Sequence, residues 1–494
     1  MRERADNVAN VGRVSTRQTT PAHGDVGLRD EAANPTYGGM AGEWKSVPLS
    51  TIATVKSGKR LPLGKALVAE RTSHPYVRLV DIDNNRIRRG SMQYLEPSTH
   101  KAICKYIVRN GDVCLAIVGH TIGLVFQVDE QWDGANLTEN AARLTDFRGA
   151  DPTFVFNYLR SQVGQELIKS RTVGSAQGKL PLYAIADLPI CLPPFPEQKA
   201  IAHILGTLDD KIELNRRMNA TLEAMARALF QSWFVDFDPV RRNIDRADDS
   251  GVTRRRGERG GEALQEGCLT PRLRASAPPR DPNDALFPAH FQDSPLGHIP
   301  QGWKAGTLSE GFDLTMGQSP PGDTYNEDGN GIPFYQGRTD FGFRFPTHRI
   351  YCTAPTRYAK PSDTLVSVRA PVGDINMTDE ECCIGRGVAA VRHNSGAISF
   401  TYYAMANLYP DFALFEGEGT VFGSINKQNF ENLRFVIPPP EIVAAYEQLA
   451  KPLDDQIRTL EQQSRTLATL RDSLLPKLLS GELSVSKRIA EVTT

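Results

Sequence analysis

The chain has 494 residues, a formal net charge of −1 and 40 % hydrophobic residues, enough for two or more domains with separate cores. No apolar run approaches the ~18 residues of a membrane span. The seven cysteines show no CxxC spacing, so neither a zinc site nor a disulfide framework is indicated. We therefore expect a cytoplasmic protein with reduced thiols, no metal site and no membrane contact.

The chain begins with a polar stretch of low periodicity, residues 1–42, which predicts a disordered tail. Met40 stands just before the first segment of ordered character, so a downstream start codon is a hypothesis. Residues 43–192 follow with short strand-like runs and a helical stretch at 152–169. They lack the regular alternation of strands and helices of a doubly wound sheet, and we predict a mixed α/β domain.

Residues 193–240 predict a short helix, a break and a long helix. Thr207, with Asp210 three residues later, would cap the long helix. Apolar residues then recur at a spacing of three and four, a narrow heptad seam that is typical of a coiled coil. The seam contains Asn215 and Asn219, which can fix the register of a partner helix. Its other members are Leu208, Ile212, Leu222 and Leu229.

An internal repeat supplies that partner helix within the same chain. A shift of 245 residues places Gly174 on Gly419 and Asp209 on Asp454. It also places Thr207 on Pro452, a residue tolerated at the first position of a helix. The repeat predicts two related units in a pseudo-two-fold arrangement, with their long helices packed antiparallel. The second seam consists of Leu453, Ile457, Leu460, Leu467 and Leu474.

Between the two repeats the composition changes. Residues 241–286 contain an arginine run at 254–256 and no apolar periodicity, which favours a flexible, solvated linker over an ordered element that grips DNA. Residues 287–437 repeat the first unit in weaker form, residues 438–484 form the second helical region, and residues 485–494 form a tail. The predicted fold class is α+β: two mixed α/β domains joined by two long antiparallel coiled-coil helices.

No motif in the chain predicts catalysis. Gly58 and Gly64 resemble the glycines of a phosphate loop, but five residues separate them where four are needed, and Ala66 replaces the metal-binding hydroxyl residue. The tetrapeptide at 34–37, NPTY, resembles an amino-methyltransferase motif but lies in the predicted tail. The nine histidines are scattered without metal-binding spacing. We predict no catalytic residue, no metal ligand and no cofactor bound by this chain.

Recognition is the function that the remaining features favour. Each unit has two polar glycine loops at corresponding places: 57–60 with 174–179, and 317–321 with 419–427. Arg and Lys can bind guanine edges, and Asn and Gln can bind adenine edges. Any one such side chain is ordinarily a solvated residue, but the repeated set favours a two-part reader of double-stranded DNA. The candidates are Lys59, Arg60, Gln177, Lys179, Gln318, Arg338, Asn426 and Lys427.

Three long segments resemble one known family. Residues 192–239, which begin LPPFPEQKAIAHILGTLDD, resemble the central region of the specificity subunit of type I restriction-modification systems. Residues 286–303, LFPAHFQDSPLGHIPQGW, resemble the lead-in to that family's second recognition domain. Residues 438–483, which begin PPPEIVAAYEQLAKPLDD, resemble its C-terminal region. The likeness covers roughly residues 44–484, although the stretch at 241–280 is longer than the family leads us to expect.

The resemblance implies a role and a set of partners. Two target recognition domains would each read one half of an interrupted DNA site. The helices would dock two methyltransferase subunits and then two restriction subunits, which would bring the chemistry of S-adenosylmethionine, ATP and Mg²⁺. The recognition domains of this family vary freely, so base-contacting residues cannot be transferred from it.

Two alternatives stay open on the sequence alone. The chain could be a methyltransferase or nuclease in its own right, or a coiled-coil scaffold that binds only protein. The missing methyl-donor motif argues against the enzyme. The duplicated basic and amide-bearing loops argue against the scaffold, because a scaffold needs the helices but not two elaborate head domains.

Overall fold

The computed structural model describes residues 44–174, 178–257, 282–416 and 423–485. Two related α/β units are joined by two helices of 40 residues each. The predictions for Met40, the tetrapeptide at 34–37, Gln177 and Gly419 lie outside these ranges. Within the described residues, no helix is long and apolar enough to span a membrane, and no group of three or more His, Cys, Asp or Glu could hold a metal.

The first unit is built on an antiparallel four-stranded sheet of order β2-β10-β7-β8, beside a three-stranded sheet of order β6-β3-β9. Strand β1 pairs with β11, so the first and last strands of the unit meet where the long helix begins. The strands are β1 Lys45–Pro48, β2 Thr54–Ser57, β3 Pro75–Val77, β4 Ile82–Asp83, β5 Arg86–Ile87, β6 Gln93–Tyr94, β7 Val113–Ala116, β8 Val125–Gln127, β9 Asn136–Leu137, β10 Ala141–Thr145 and β11 Pro189–Leu192. The helices are α1 Leu49–Ile52, α2 Pro97–Ile103, α3 Pro152–Arg160, α4 Gln162–Ser170 and α5 Leu182–Ala186.

The helical stretch predicted at 152–169 is two helices rather than one. Ser161 has an extended backbone, and its Oγ accepts a hydrogen bond from the amide of Gly164, so this residue caps α4. A β-carbon on Gly164 would lie 2.2 Å from the carbonyl oxygen of Tyr158. The sharp turn between α3 and α4 therefore depends on Ser161, whose side chain caps α4, and on Gly164, which leaves room for the backbone at the end of α3.

A single helix, α6 Phe195–Phe234, leads out of the first unit, and α7 Asp238–Gly257 follows it. The predicted break at Thr207 is wrong, because the Thr207 hydroxyl donates to the carbonyl oxygen of His203 (2.7 Å) inside a continuous helix. The helix begins instead just after Pro193 and Pro194, where proline is compatible with a first turn.

The second unit repeats the first in the same strand order, with a four-stranded sheet of order β15-β23-β20-β21 beside a five-stranded sheet of order β16-β18-β17-β22-β19. Its strands are β12 Phe291–Ser294, β13 Gly297–Pro300, β14 Lys304–Thr307, β15 Phe312–Met316, β16 Tyr325–Asn326, β17 Ile332–Tyr335, β18 Tyr351–Cys352, β19 Tyr358–Ala359, β20 Thr364–Ser367, β21 Ile375–Met377, β22 Cys382–Ile384, β23 Val388–His393 and β24 Arg434–Ile437. Its helices are α8 Leu308–Gly311, α9 Ile398–Asn407, α10 Tyr409–Ala413 and α11 Lys427–Glu431, and the second long helix is α12 Pro440–Leu479.

Pro452 lies inside α12 rather than at its first position, which corrects the second predicted helix start. Its ring removes one backbone donor from the helix. The carbonyl oxygen of Gln448 therefore has no helical hydrogen bond from position 452. Gln448 and Pro452 are both exposed, so this hydrogen bond is lost on the solvent-facing side of the helix. A proline in such a position does not interrupt the buried side of the helix.

The two long helices are antiparallel, as predicted. Asn215 Nδ2 donates to Gln463 Oε1 (2.8 Å), and Asn219 Nδ2 donates to Glu461 Oε1 (2.8 Å). Further along, the Tyr446 hydroxyl donates to the carbonyl oxygen of Ala226 (3.1 Å). Residue numbers thus rise in one helix as they fall in the other, and the two asparagines join the helices near their middle.

The predicted seam faces the partner helix and the adjoining cores. None of the eleven seam residues named above is exposed, and both asparagines in the first seam are buried. Ile212, Asn215, Ile457 and Leu460 are buried, whereas Leu208, Leu222, Leu229, Leu453, Leu467 and Leu474 are half-buried.

Each long helix belongs to the hydrophobic cores of both units. Phe230, Trp233 and Phe234, at the end of α6, pack in the core of the second unit with Phe400 and Tyr446. Leu475 and Leu478, at the end of α12, pack in the core of the first unit. The chain therefore closes into a ring in which the two helices form a shared rod.

The segment predicted as a linker, residues 241–286, is ordered at both of its described ends. Asp284 has a side chain only 3 % exposed, and it forms ion pairs with Arg242 (2.6 Å) and Arg246 (2.8 Å) of α7. Asn243 Nδ2 donates to the carbonyl oxygens of Asp284 and Phe287. Apart from Val240 and Ile244, which pack in or against the core of the second unit, this helix is held by polar contacts across about forty residues of sequence, which apolar periodicity does not reveal. Residues 258–281 lie outside the described residues.

Candidate nucleic-acid interface

Two predicted loops of the first unit meet at one edge of its four-stranded sheet. Strands β2 and β7 flank β10 and run antiparallel to it, so both end at the same edge. Directly after β2, the amide of Lys59 donates to the carbonyl oxygen of Leu137 (2.9 Å). Just after β7, the amide of Gly119 donates to the carbonyl oxygen of Gly178 (3.0 Å). The loop at 57–60 and the described part of the loop at 174–179 thus lie on either side of the start of β10.

The second unit has the same arrangement. After β15, the amide of Gln318 donates to the carbonyl oxygen of Ile384 (3.0 Å). After β20, the amide of Ile425 donates to the carbonyl oxygen of Val368, and Arg369 forms an isolated bridge with Ser424. The described part of the loop predicted at 419–427 therefore lies at the same sheet edge as the loop at 317–321. We call these two surfaces the first and second loop edges.

Corresponding glycines allow both loops to approach the sheet. A β-carbon on Gly58 would lie 2.0 Å from the carbonyl oxygen of Thr138. A β-carbon on Gly317 would lie 2.2 Å from the carbonyl oxygen of Gly385. Since both obstacles are backbone atoms, no side chain fits at either position, and the two loops are held close to equivalent strands.

The described candidates of the first loop edge are exposed. Lys59 Nζ lies 5.6 Å from the centroid of the Tyr106 ring, and the structure places Lys179 at the bridge with Val118. Arg60 Nε donates to Glu139 Oε1 (2.8 Å), and this hydrogen bond raises the pKa of the Arg60 guanidinium. A base or phosphate that binds Arg60 would therefore compete with a carboxylate.

The candidates of the second loop edge are also exposed, but most have partners within the protein. Arg338 forms an ion pair with Asp374, and Lys427 Nζ lies 3.4 Å from Glu431 Oε1. Asn426 Oδ1 accepts a hydrogen bond from the amide of Asn429 (2.8 Å) and so caps α11. A bidentate contact of Asn426 with adenine would have to share that oxygen. Gln318 carries an exposed amide.

Two arginines at the second loop edge were missed by the sequence analysis. Arg369 and Arg386 are exposed, and neither forms an ion pair with any residue in the described ranges. The amide of Arg386 donates to Ser319 Oγ (3.3 Å), which places it beside Gln318. The sequence could have revealed Arg386, because it lies between Gly385 and Gly387 and the other predicted loops also combine glycine with polar residues.

The loop edges suit binding rather than bond-breaking chemistry. They combine exposed guanidinium, ammonium and amide groups, which are the donors that contact base edges and phosphates. The buried titratable group near the first loop edge is Tyr76. Burial raises its pKa to about 12, so its hydroxyl stays protonated while it donates to the carbonyl oxygen of Lys59 (2.8 Å).

Comparison with known proteins defines the class of this fold. The sequence model of the Type I restriction modification DNA specificity domain matches residues 41–224 and 300–470. The two matches fall on the two units and on most of both long helices. The chain therefore belongs to the family of type I restriction-modification DNA specificity proteins, as the sequence resemblance predicted, and the predicted role as a specificity component rather than a catalytic subunit agrees with this family.

Individual relatives cover nearly the whole chain. The putative type I restriction enzyme MjaX specificity subunit of Methanocaldococcus jannaschii is 25 % identical over 426 residues, which are 84 % of this chain and 88 % of the relative. The HindI specificity subunit of Haemophilus influenzae is 24 % identical over 454 residues, 83 % and 95 % of the two chains. The S subunit of a type I system from M. genitalium has the same fold, with a TM-score of 0.51, 15 % identity and coverage of 88 % and 96 %.

Proposed function

We propose that the two units are target recognition domains, each of which reads one half of an interrupted site in double-stranded DNA. One observation carries this proposal: the two loop edges are equivalent, since each has two loops at the same edge of a sheet with the same strand order. A single reading surface would not require this duplication.

The side chains at the loop edges support base reading. A good bidentate contact with a base edge is worth ~1–3 kcal/mol of discrimination, whereas a phosphate contact weakens all sequences alike. Lys59 and Lys179 serve the first half-site, and Gln318 and Lys427 serve the second. Arg369 and Arg386 join the second set, because their guanidinium groups are exposed at the same edge.

The long helices serve as the spacer. A helix of 40 residues is about 60 Å long at ~1.5 Å per residue. Because each helix ends in the core of the opposite unit, the rod fixes the separation of the two loop edges. The base pairs between the two half-sites are then not contacted by either loop edge, so the recognised site is interrupted.

The outer surface of the rod docks the partner subunits. Leu214, Met218 and Met225 are 50 %, 38 % and 54 % exposed, and their spacing of four and seven residues places them on one side of α6. Leu470, 44 % exposed, occupies the repeat-equivalent position of Met225 on α12. We call these four residues the apolar stripe. An exposed apolar residue at the same repeat position of each helix suits two copies of a methyltransferase subunit.

Charged residues on the exposed sides of α6 take part in the same docking. Arg217 pairs with Glu213 (2.9 Å) and Arg227 pairs with Glu223 (2.8 Å) along α6. Two restriction subunits bind the complex after the methyltransferase subunits. S-adenosylmethionine, ATP and Mg²⁺ belong to those partners rather than to this chain.

The test uses the chain assembled with its methyltransferase subunit and duplexes that vary one half-site at a time. Lys59→Ala and Lys179→Ala should relax discrimination in one half-site only, and Gln318→Ala and Lys427→Ala in the other. For a side chain that contacts a base, the loss corresponds to ~1–3 kcal/mol. One that contacts phosphate should instead lower the salt slope by about one.

Lys45→Ala and Lys304→Ala are the matched controls. These exposed lysines begin β1 and β14, occupy corresponding positions in the two units and lie on the strand pairs that lead into the long helices. They should leave discrimination unchanged in both half-sites. Equal losses in both half-sites for all four loop variants would contradict the two-reader proposal.

A further inference from the structure

The side chain of Arg344 in the second unit is buried against both long helices. It is only 1 % exposed. Nη1 donates to Asp454 Oδ1 of α12 (2.7 Å), and Nη2 lies 3.5 Å from Glu223 Oε2 of α6. A side chain of the recognition domain thus contacts a carboxylate on each helix of the rod.

Aromatic residues of the same unit complete the site around Arg344. Its guanidinium carbon lies 3.8 Å from the centroid of the Tyr402 ring, a stacking distance. Nη2 donates to the Tyr403 hydroxyl (2.9 Å), which in turn donates to Asp454 Oδ1 (3.0 Å). The planar guanidinium is therefore fixed in direction as well as in position.

The first unit also pairs an arginine with the rod, although this arginine comes from helix α3. Arg160 Nη2 lies 2.7 Å from Asp209 Oδ2, and the Arg160 guanidinium carbon lies 4.9 Å from the Phe156 ring centroid. Asp209 and Asp454 are related by the internal repeat, and Phe156 and Tyr402 lie on the corresponding helices α3 and α9. Each recognition domain thus rests an arginine on an aromatic ring and pairs it with the same repeated aspartate of the rod.

We propose that Arg344 is a positioning residue that sets the orientation of the second recognition domain on the rod, and thereby the spacing at which the two half-sites are read. Arg160 has the same role for the first domain. This inference rests on the proposed function and adds to it, because it assigns spacer selection to residues that touch no DNA.

The reason is geometric. The hydrophobic contacts between domain and rod are non-directional, whereas a planar, stacked arginine accepts few orientations. A one-base-pair error in spacing moves a half-site by 3.4 Å and turns it by about 35°. Without Arg344, the second domain can change its orientation on its apolar contacts and bind a half-site that is displaced in this way.

The test compares complexes of the methyltransferase subunit with the wild-type chain, with Arg344→Met and with Arg349→Met. Arg349 is the matched control, because it pairs with Asp340 (2.9 Å) inside the second domain and, among the described residues, forms no ion pair or hydrogen bond with either long helix. Affinity is measured for duplexes that carry both half-sites at the native spacer and at spacers one or two base pairs shorter or longer.

For Arg344→Met, we expect the preference for the native spacer over its one-base-pair neighbours to fall by about tenfold, the factor that corresponds to the loss of one hydrogen bond to a charged group. The penalties for base changes within the second half-site should not change, and Arg349→Met should match wild type. Arg344→Lys keeps the charge but loses the planar fork, so it should show part of the same relaxation. It also provides the test if Arg344→Met does not assemble.

An equal loss of affinity at every spacer, or no change in spacer preference, would overturn this inference while the wild-type complex still reads two half-sites. A wild-type complex with no interrupted site would instead remove the proposed function, and the inference with it.

Discussion

His348 of the second domain lies between two carboxylates close to the rod. Nε2 is 3.2 Å from Asp379 Oδ1, and Nδ1 is 3.1 Å from Glu380 Oε1. Arg465 of α12 donates to Asp379 Oδ2 (2.8 Å). The hydrogen bond to Asp379 raises the pKa of His348 and outweighs the effect of burial. Burial opposes ionisation of Asp379, but its bonds to His348 and Arg465 lower its pKa to about 2.

This arrangement predicts a pH-dependent stability. A histidine whose folded pKa is raised stabilises the fold fully below its unfolded pKa of ~6.5, and that contribution is lost as the pH rises through the folded pKa. His348→Gln should therefore flatten the fall in melting temperature as the pH rises above about 6.5. His290→Gln, at an exposed histidine, is the control. The same pH dependence in His348→Gln and wild type would contradict the prediction.

Single residues show where sequence reasoning succeeds and where it stops. The loops were found because glycine beside basic and amide residues is a local signal, and Gly58 and Gly317 do have the close backbone contacts that exclude a side chain. Arg344 was missed because it belongs to no motif and its partner Asp454 lies 110 residues away. Asn426 was predicted to contact bases, but its side-chain oxygen caps α11. This role could not be predicted without knowing where α11 begins.

The two long helices were predicted in type, number and direction, but not at their starts. Heptad spacing revealed the seam because apolar periodicity reports the buried face directly. The starts were misplaced because Thr207 and Pro452 are residues that often begin helices, whereas here tertiary packing continues the helix through them. The order in α7 was missed for a different reason, since ion pairs with Asp284 leave no apolar pattern.

The apolar stripe predicts how the rod binds its partners. Met218→Glu and Met225→Glu place charge on an exposed side of α6, so the melting temperature of the isolated chain should change little. Both should weaken binding of the methyltransferase subunit, because a charge would be buried in the interface. Mass measurement of the assembled complex checks this.

Ala220→Glu is the control for these two changes, since Ala220 is exposed on α6 away from the apolar stripe. It should leave assembly intact. If Met218→Glu and Met225→Glu bound the methyltransferase subunit as well as Ala220→Glu does, the docking surface would have to lie elsewhere.

On the scale of the whole molecule, the chain is a closed ring of two α/β units on a rod. The internal repeat predicted this arrangement, because equivalent helices can bury their seams only against each other. The lateral contacts of the domains with the rod could not be predicted in the same way. In the second unit they use Arg344, and Asp379 beside His348, which pairs with Arg465 of α12; in the first unit they use Arg160. The repeat does not conserve these positions.

The central claim is that the rod sets the distance between the two half-sites. The structure shows where to lengthen it. Asn219 lies opposite Glu461, so seven residues inserted after Asn219 and seven inserted between Leu460 and Glu461 face each other. The contacts of Asn215 on one side and of Tyr446 on the other are both retained. The insertion separates Arg465 from Asp379, a partly exposed ion pair that we expect to be worth little.

The most direct measurement is the set of sites methylated by a complex that contains this lengthened chain. Seven residues keep the heptad register and add roughly 10 Å, the rise of about three base pairs. Three base pairs also turn the duplex by about 100°, so all spacers from one to four base pairs longer are scored. We predict that both half-site sequences are kept and that the spacer is longer. Methylation only at the original spacer would contradict the account.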